Sequence, residues 1–165
     1  MKLLERFSTI YVAEEDRLRL TSEIVDGSPE TIWLTQRLLL RALPPLLNWL
    51  EKQIPSSLSI NDVQGFQQEA AIAAIKPQKQ VRVGGESPSW IPTEVNIASS
   101  KRLIKITLKG CNQNKVHLNL TTKQLRQWLS IIYDCWEKAG WPPQVWPEWI
   151  NSSVNFEQSQ VAILH

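Results

Sequence analysis

The apolar positions fall into two repeating rhythms. Leu18 and Leu20 alternate with polar neighbours, as do Ile32 and Leu34. Period-two alternation is the mark of a strand with one buried face. From Thr35 the spacing changes: Leu38, Leu39, Leu43, Leu46, Leu47 and Leu50 follow a helical period, behind a threonine suited to cap it. The same succession returns 86 residues later. Ile104, Ile106 and Leu108 alternate, Val116, Leu118 and Leu120 alternate, and a helical pattern starts behind Thr121, with Gln124 placed to complete a capping box.

Laid over each other without a gap, Arg17–Lys52 and Leu103–Lys138 share Leu34/Leu120, Thr35/Thr121 and Glu51/Glu137, and pairs such as Leu20/Ile106 and Arg19/Lys105 keep their chemistry. Turn-forming residues, Asp26-Gly27 and Asn112-Gln113-Asn114, fall at the same point of both segments. Upstream, "FSTIYVA" and "TEVNIAS" add a strand to each, and "QVRVGG" offers another to the second. The pattern predicts an α+β domain: a tandem β-β-β-α duplication, with antiparallel sheet packed against helices and a Trp/Pro-rich C-terminal arm. Residues 1–53 form repeat one, 54–78 a connecting helix, 79–140 repeat two and 141–165 the arm. In the connector, Val63, Phe66, Ala70 and Ala73 recur at helical spacing.

Three features do not fit a plain repeat. Pro44 and Pro45 interrupt the first helix, where the second has Ser130 and Ile131. An interior proline costs about 3 kcal/mol, so a kink or a split is expected. That helix is also apolar almost all round, which calls for a second covering: the connecting helix, the arm or another subunit. The arm, "AGWPPQVWPEWI", concentrates three tryptophans among three prolines and reads as an extended segment.

Composition narrows the functional classes. In 165 residues, 42% are hydrophobic and 21% charged, with a formal net charge of +2. That is a folded domain with no general pull toward polyanions. No apolar run approaches the roughly 18 residues of a membrane span, and the N-terminus has no signal-peptide pattern, so a cytoplasmic protein is expected. Two histidines and two cysteines supply no triad and no metal site, and no nucleotide-binding loop is present. No cofactor, no metal and no catalysis are expected.

Two binding surfaces remain. A protein-interaction or assembly module, self-associating as a homodimer, would use Leu40 and Leu47 of the first helix with Trp141, Trp146 and Trp149 of the arm, since tryptophan buries much area at little entropic cost. Alternatively, strand parity places Tyr11, Arg17, Arg19, Trp33, Lys105, Lys109 and His117 together on the outward sheet face. Cations that track phosphates, interleaved with rings that stack bases, suit single-stranded nucleic acid. Tandem units of strands followed by a helix also occur in the PUR-repeat and Whirly single-strand binders, an analogy of architecture that brings no sequence motif with it.

Overall fold

A computed structural model of the chain describes residues 2–24, 28–54, 60–76 and 87–150, and the backbone of 163–164. The elements run β1 (Lys2–Val12), β2 (Arg17–Ile24), β3 (Pro29–Leu34), α1 (Gln36–Lys52), α2 (Ile60–Ala73), β4 (Ser89–Trp90), β5 (Pro92–Ser99), β6 (Leu103–Gly110), β7 (Lys115–Thr121), α3 (Thr122–Ala139) and β8 (Ile163–Leu164). The fold is α+β. The proposed turn at Asp26-Gly27 and the proposed strand in "QVRVGG" lie outside the described residues.

The sheet follows the order β4-β3-β2-β1-β7-β6-β5, with β8 added antiparallel to β1. Pairing within each three-strand unit is antiparallel, as the alternation requires. The joints between units are parallel: Leu3 pairs with His117, and Ser89 pairs with Thr31. Both joints obey the same offset of 86 residues. The hairpin irregularities correspond too. Leu4↔Ile24 gives way to Arg6↔Glu23 in the first unit, and Pro92↔Gly110 to Glu94↔Lys109 in the second. Each bulge carries an ion pair of reversed polarity, Arg6–Glu23 in one and Glu94–Lys109 in the other.

β4 and β5 are one stretch broken only at Ile91, so the two ends of the sheet meet. Trp90 fastens that closure. Its indole N–H donates to the buried Glu30 carboxylate of β3 at 2.9 Å, and its ring lies over Gly110. A Cβ at Gly110 would stand 2.6 Å from the Trp90 ring, so only glycine fits there.

Each helix packs where a first strand parts from the neighbouring unit, α3 on β1 and α1 on β5. Trp128 of α3 meets Phe7 edge-on and donates to Thr9 Oγ1 at 3.1 Å. Trp49 of α1 donates to the Ser100 carbonyl at 3.2 Å. Between them, Leu18, Leu20, Ile32, Ile104, Ile106 and Leu118 are wholly buried. The helix ends follow the sequence signals. Thr35 caps α1, Thr121 and Gln124 form the capping box of α3, and Gly140 ends α3 in the left-handed conformation at φ 67°.

α1 is not split: it runs through Pro44 and Pro45 as one helix. The reason is the face they occupy. Leu40, Arg41, Pro44, Pro45 and Asn48 form its exposed stripe, so the carbonyls deprived of partners, those of Leu40 and Arg41, look toward water. The rest of the helix is covered within the chain, by the sheet and by the contacts beyond it. Gln64 of α2 donates to the Leu50 carbonyl, and Trp149 donates to Glu51.

Candidate docking site

The described part of the C-terminal arm, residues 141–150, is not extended. It forms two short 3₁₀ turns, Pro143–Val145 and Glu148–Ile150, because each proline fixes a helical φ at the head of a turn. It then folds back. Trp136 of α3 is enclosed edge-on by Trp141 and Trp146, at ring distances of 4.9 and 5.7 Å. Asp16, at the β1–β2 hairpin tip, accepts from both Tyr11 Oη at 2.8 Å and Trp141 Nε1 at 2.9 Å, tying the arm to the sheet. Trp141 and Trp149 are therefore buried, Trp146 is partly buried, and Leu47 lies on the buried side of α1. The expectation that these residues present a partner surface is corrected: the indole N–H groups of Trp141 and Trp149 find acceptors inside the chain, Trp146 packs edge-on against Trp136 and Tyr133, and the rings cover the chain's own core. Of the proposed interface residues Leu40 alone stays exposed, at 42%.

The outward sheet face is also changed. Arg17, Arg19, Trp33, Lys105, Lys109 and His117 do lie on the face opposite the buried leucines and isoleucines, all half-buried. Tyr11 does not. It pairs with Leu18 across β1 and β2, and cross-strand partners share a face, so Tyr11 lies on the helix side, against Trp141. Parity counted within one strand cannot relate two strands when the hairpin register is unknown. Arg17 is engaged by Glu15 at 3.6 Å and Lys109 by Glu94 at 3.8 Å. Arg19, Lys105 and Lys115 have no ion pair among the described residues. Trp33, opposite Arg19, gives its indole N–H to Ser89 Oγ at 2.9 Å. His117 is held below its ordinary range by partial burial and by Lys105.

The feature that sequence reasoning did not single out as a site is α2. Its buried face is polar: Gln64 and Gln68 are fully buried, alongside Ala71 and Ile72. The apolar residues that recur at helical spacing point outward instead. Phe66 is 72% exposed, Ala70 and Ala73 are exposed, and Val63 is half-buried.

Arg126 of α3 explains the reversal. It is 2% exposed, and burial holds it down to about 10. Its guanidinium donates to the side-chain oxygens of Gln64, of Gln67 at 3.0 Å and of Gln68 at 3.4 Å, and lies 5.5 Å from the centre of the Trp149 ring. Gln68 returns a bond to the Arg126 carbonyl at 2.8 Å, and Gln127 reaches the Ala71 carbonyl at 3.0 Å. Three neutral amides thus solvate one cation, its Nε has no partner, and no carboxylate pairs with it among the described residues. Glutamines must face inward to do this, which turns Phe66 and the alanines out.

Beside this exposed stripe lies a cleft of about 410 Å³ between α2 and the start of α3. Ala70, Ala71 and Ala74 form one wall, and Thr122, Lys123 and Arg126 the other. Two further clefts mark the divergence points of the sheet, one beside Arg6 and Glu23, the other beside Arg37 and Arg41. Of the remaining shifted groups, Tyr133 is raised to about 12 by burial and by Glu137, Cys135 to about 11 by burial, and Tyr11 is raised by its hydrogen bond to Asp16; none of the three lines these clefts. Among the described residues no three His, Cys, Asp or Glu side chains gather as a metal site, and no helix is long and apolar enough to cross a membrane. No protein-family model, curated protein or solved structure matches the chain.

Proposed function

We propose that the chain is a non-catalytic protein-interaction module that docks its partner on α2. The observation that carries this reading is Phe66, 72% exposed in the middle of a regular helix and continuous with Ala70, Ala73 and an apolar cleft. Single exposed apolar side chains are ordinary, but a contiguous stripe beside an apolar cleft is the form of a docking surface. An aromatic anchor in such a stripe supplies the central contact that interfaces depend on. The absence of catalysis is part of the proposal, and it is supported by the shifted groups other than Arg126 lying outside the clefts.

The test is affinity capture from the native host after nuclease treatment, with wild type and Phe66→Asp in parallel. Phe66 touches solvent on most of its surface, so the substitution should change stability by no more than about 0.5 kcal/mol. Loss of co-purifying proteins by a variant that melts like wild type is the expected result. Full retention of them by that variant overturns the reading.

A second reading keeps the outward sheet face as a surface for single-stranded nucleic acid. It is favoured by Trp33 beside Arg19, with Lys105 and Lys115 also free of ion pairs among the described residues. It is weakened by the removal of Tyr11 to the other face. Quenching of tryptophan fluorescence by oligonucleotide, lost in Arg19→Ala and steeply salt-dependent, would raise it above the first.

A further inference from the structure

The exposed stripe of α2 has a period and a polarity. Val63, Phe66, Ala70 and Ala73 are spaced by three, four and three residues, which is an a-d-a-d seam over two heptads. Asp62 and Glu69 then fall at the flanking g positions, both exposed. Gln67 and Ala74 fall at the e positions, on the cleft side, where Lys123 and Arg126 stand beyond them. One edge of the stripe is acidic and the other is basic.

Symmetry decides what such a surface fits. In an antiparallel two-fold pair like edges meet, acid on acid. In a parallel two-fold pair the g edge of each helix meets the e edge of the other. The α2 surface is therefore complementary to itself in one orientation only. Small residues at positions 70 and 73 let two helices approach closely, with Phe66 as the knob.

We propose that the occupant of α2 is a second copy of this chain, packed in parallel about a two-fold axis. Glu69 of the partner subunit reaches the cleft at Lys123, and brings negative charge toward Arg126, which has no carboxylate among the described residues of its own chain. This rests on the docking reading above and names its partner.

The test uses the full chain in sedimentation velocity across its soluble concentration range. Wild type is expected to show a reversible monomer–dimer equilibrium. Glu69→Lys and Lys123→Glu should each weaken it about tenfold, the size of effect that opposing charges at such a contact produce. The double variant carrying both should recover most of the loss, because the swapped charges meet again across the axis. In a Cys111→Ser background, Ala73→Cys should form an intermolecular disulfide with its own counterpart, whereas an antiparallel pair over the same seam would set position 73 against position 63. A wild type that stays monomeric at every concentration overturns the inference, as does a double variant no tighter than the single ones. Neither result removes the docking reading, which Phe66→Asp tests separately through its host partners.

Discussion

Gln67→Glu tests whether Arg126 lacks a counter-charge. Gln67 Oε1 already lies 3.0 Å from Arg126 Nη2, so the substitution changes charge while keeping length and contact. Two unit charges at that range attract by about 5–6 kcal/mol at the effective dielectric of a protein surface. Most of this is offset. Gln67 is exposed, a carboxylate in its place must shed part of its hydration, and exposed pairs retain about 0.2–1 kcal/mol. Arg126 itself is buried, with its desolvation already incurred in the native chain, so the upper part of that range applies: a gain of about 1 kcal/mol, or roughly 3 °C in a domain of this size.

The assay is thermal or urea unfolding at a concentration where the chain is monomeric, against Gln144→Glu, an exposed site that makes the same change in net charge. The sign with pH follows from linkage. A carboxylate beside Arg126 has its folded pKa depressed, so its contribution is complete above the unfolded value of about 4.3 and disappears as pH falls through the folded one. A gain at neutral pH no larger than that of Gln144→Glu would refute the claim of an uncompensated cation. The same variant should also weaken self-association, since the carboxylate introduced at position 67 would repel Asp62 of the partner subunit.

Pro44→Ala with Pro45→Ala should stabilise the chain by about 2–4 kcal/mol in urea unfolding, because the helix already runs through both positions on its exposed face. Destabilisation would show that the prolines shape α1 for its contact with β5. His117 is held below its ordinary pKa, so the unfolded chain takes up the proton first. Stability should fall as pH drops below about 6.5 and level off once the folded imidazole is protonated, and His117→Gln should flatten that part of the pH–stability profile. Of the two free thiols, Cys111 is exposed and Cys135 is buried with its pKa pushed up to about 11. A thiol reagent at neutral pH should modify one site per chain, and both only in denaturant.

The fold was legible in the sequence wherever one residue sees one environment. Alternation at Leu18, Leu20, Ile104 and Ile106 reports burial on one face of a strand, and Thr121 with Gln124 reports a local hydrogen bond. The 86-residue offset relates the two parallel joints to each other, but neither joint has a mark in the sequence. What was illegible depended on pairing between distant segments. Tyr11 changed sides because the β1–β2 register is set by a bulge at Leu4/Arg6 and a four-residue turn, and neither has a mark in strand parity. Burial of Trp141 and Trp149 has no local mark because their acceptors, Asp16 and Glu51, are far away in sequence. The candidate site was hidden by a buried arginine. Val63, Phe66, Ala70 and Ala73 look like an inner face until Arg126 claims Gln64 and Gln68. A helix with three glutamines in five residues was the available signal: its apolar and amide stripes compete for the core, and a cation elsewhere in the chain decides between them.

The most direct test of docking through α2 is photo-crosslinking in the native host, with p-benzoylphenylalanine placed at position 66 and, as a control, at the exposed Asn48 of α1. The account predicts a discrete protein adduct from position 66, the chain itself or another protein, and none from position 48. No adduct from position 66, or the same adducts from both positions, would contradict it.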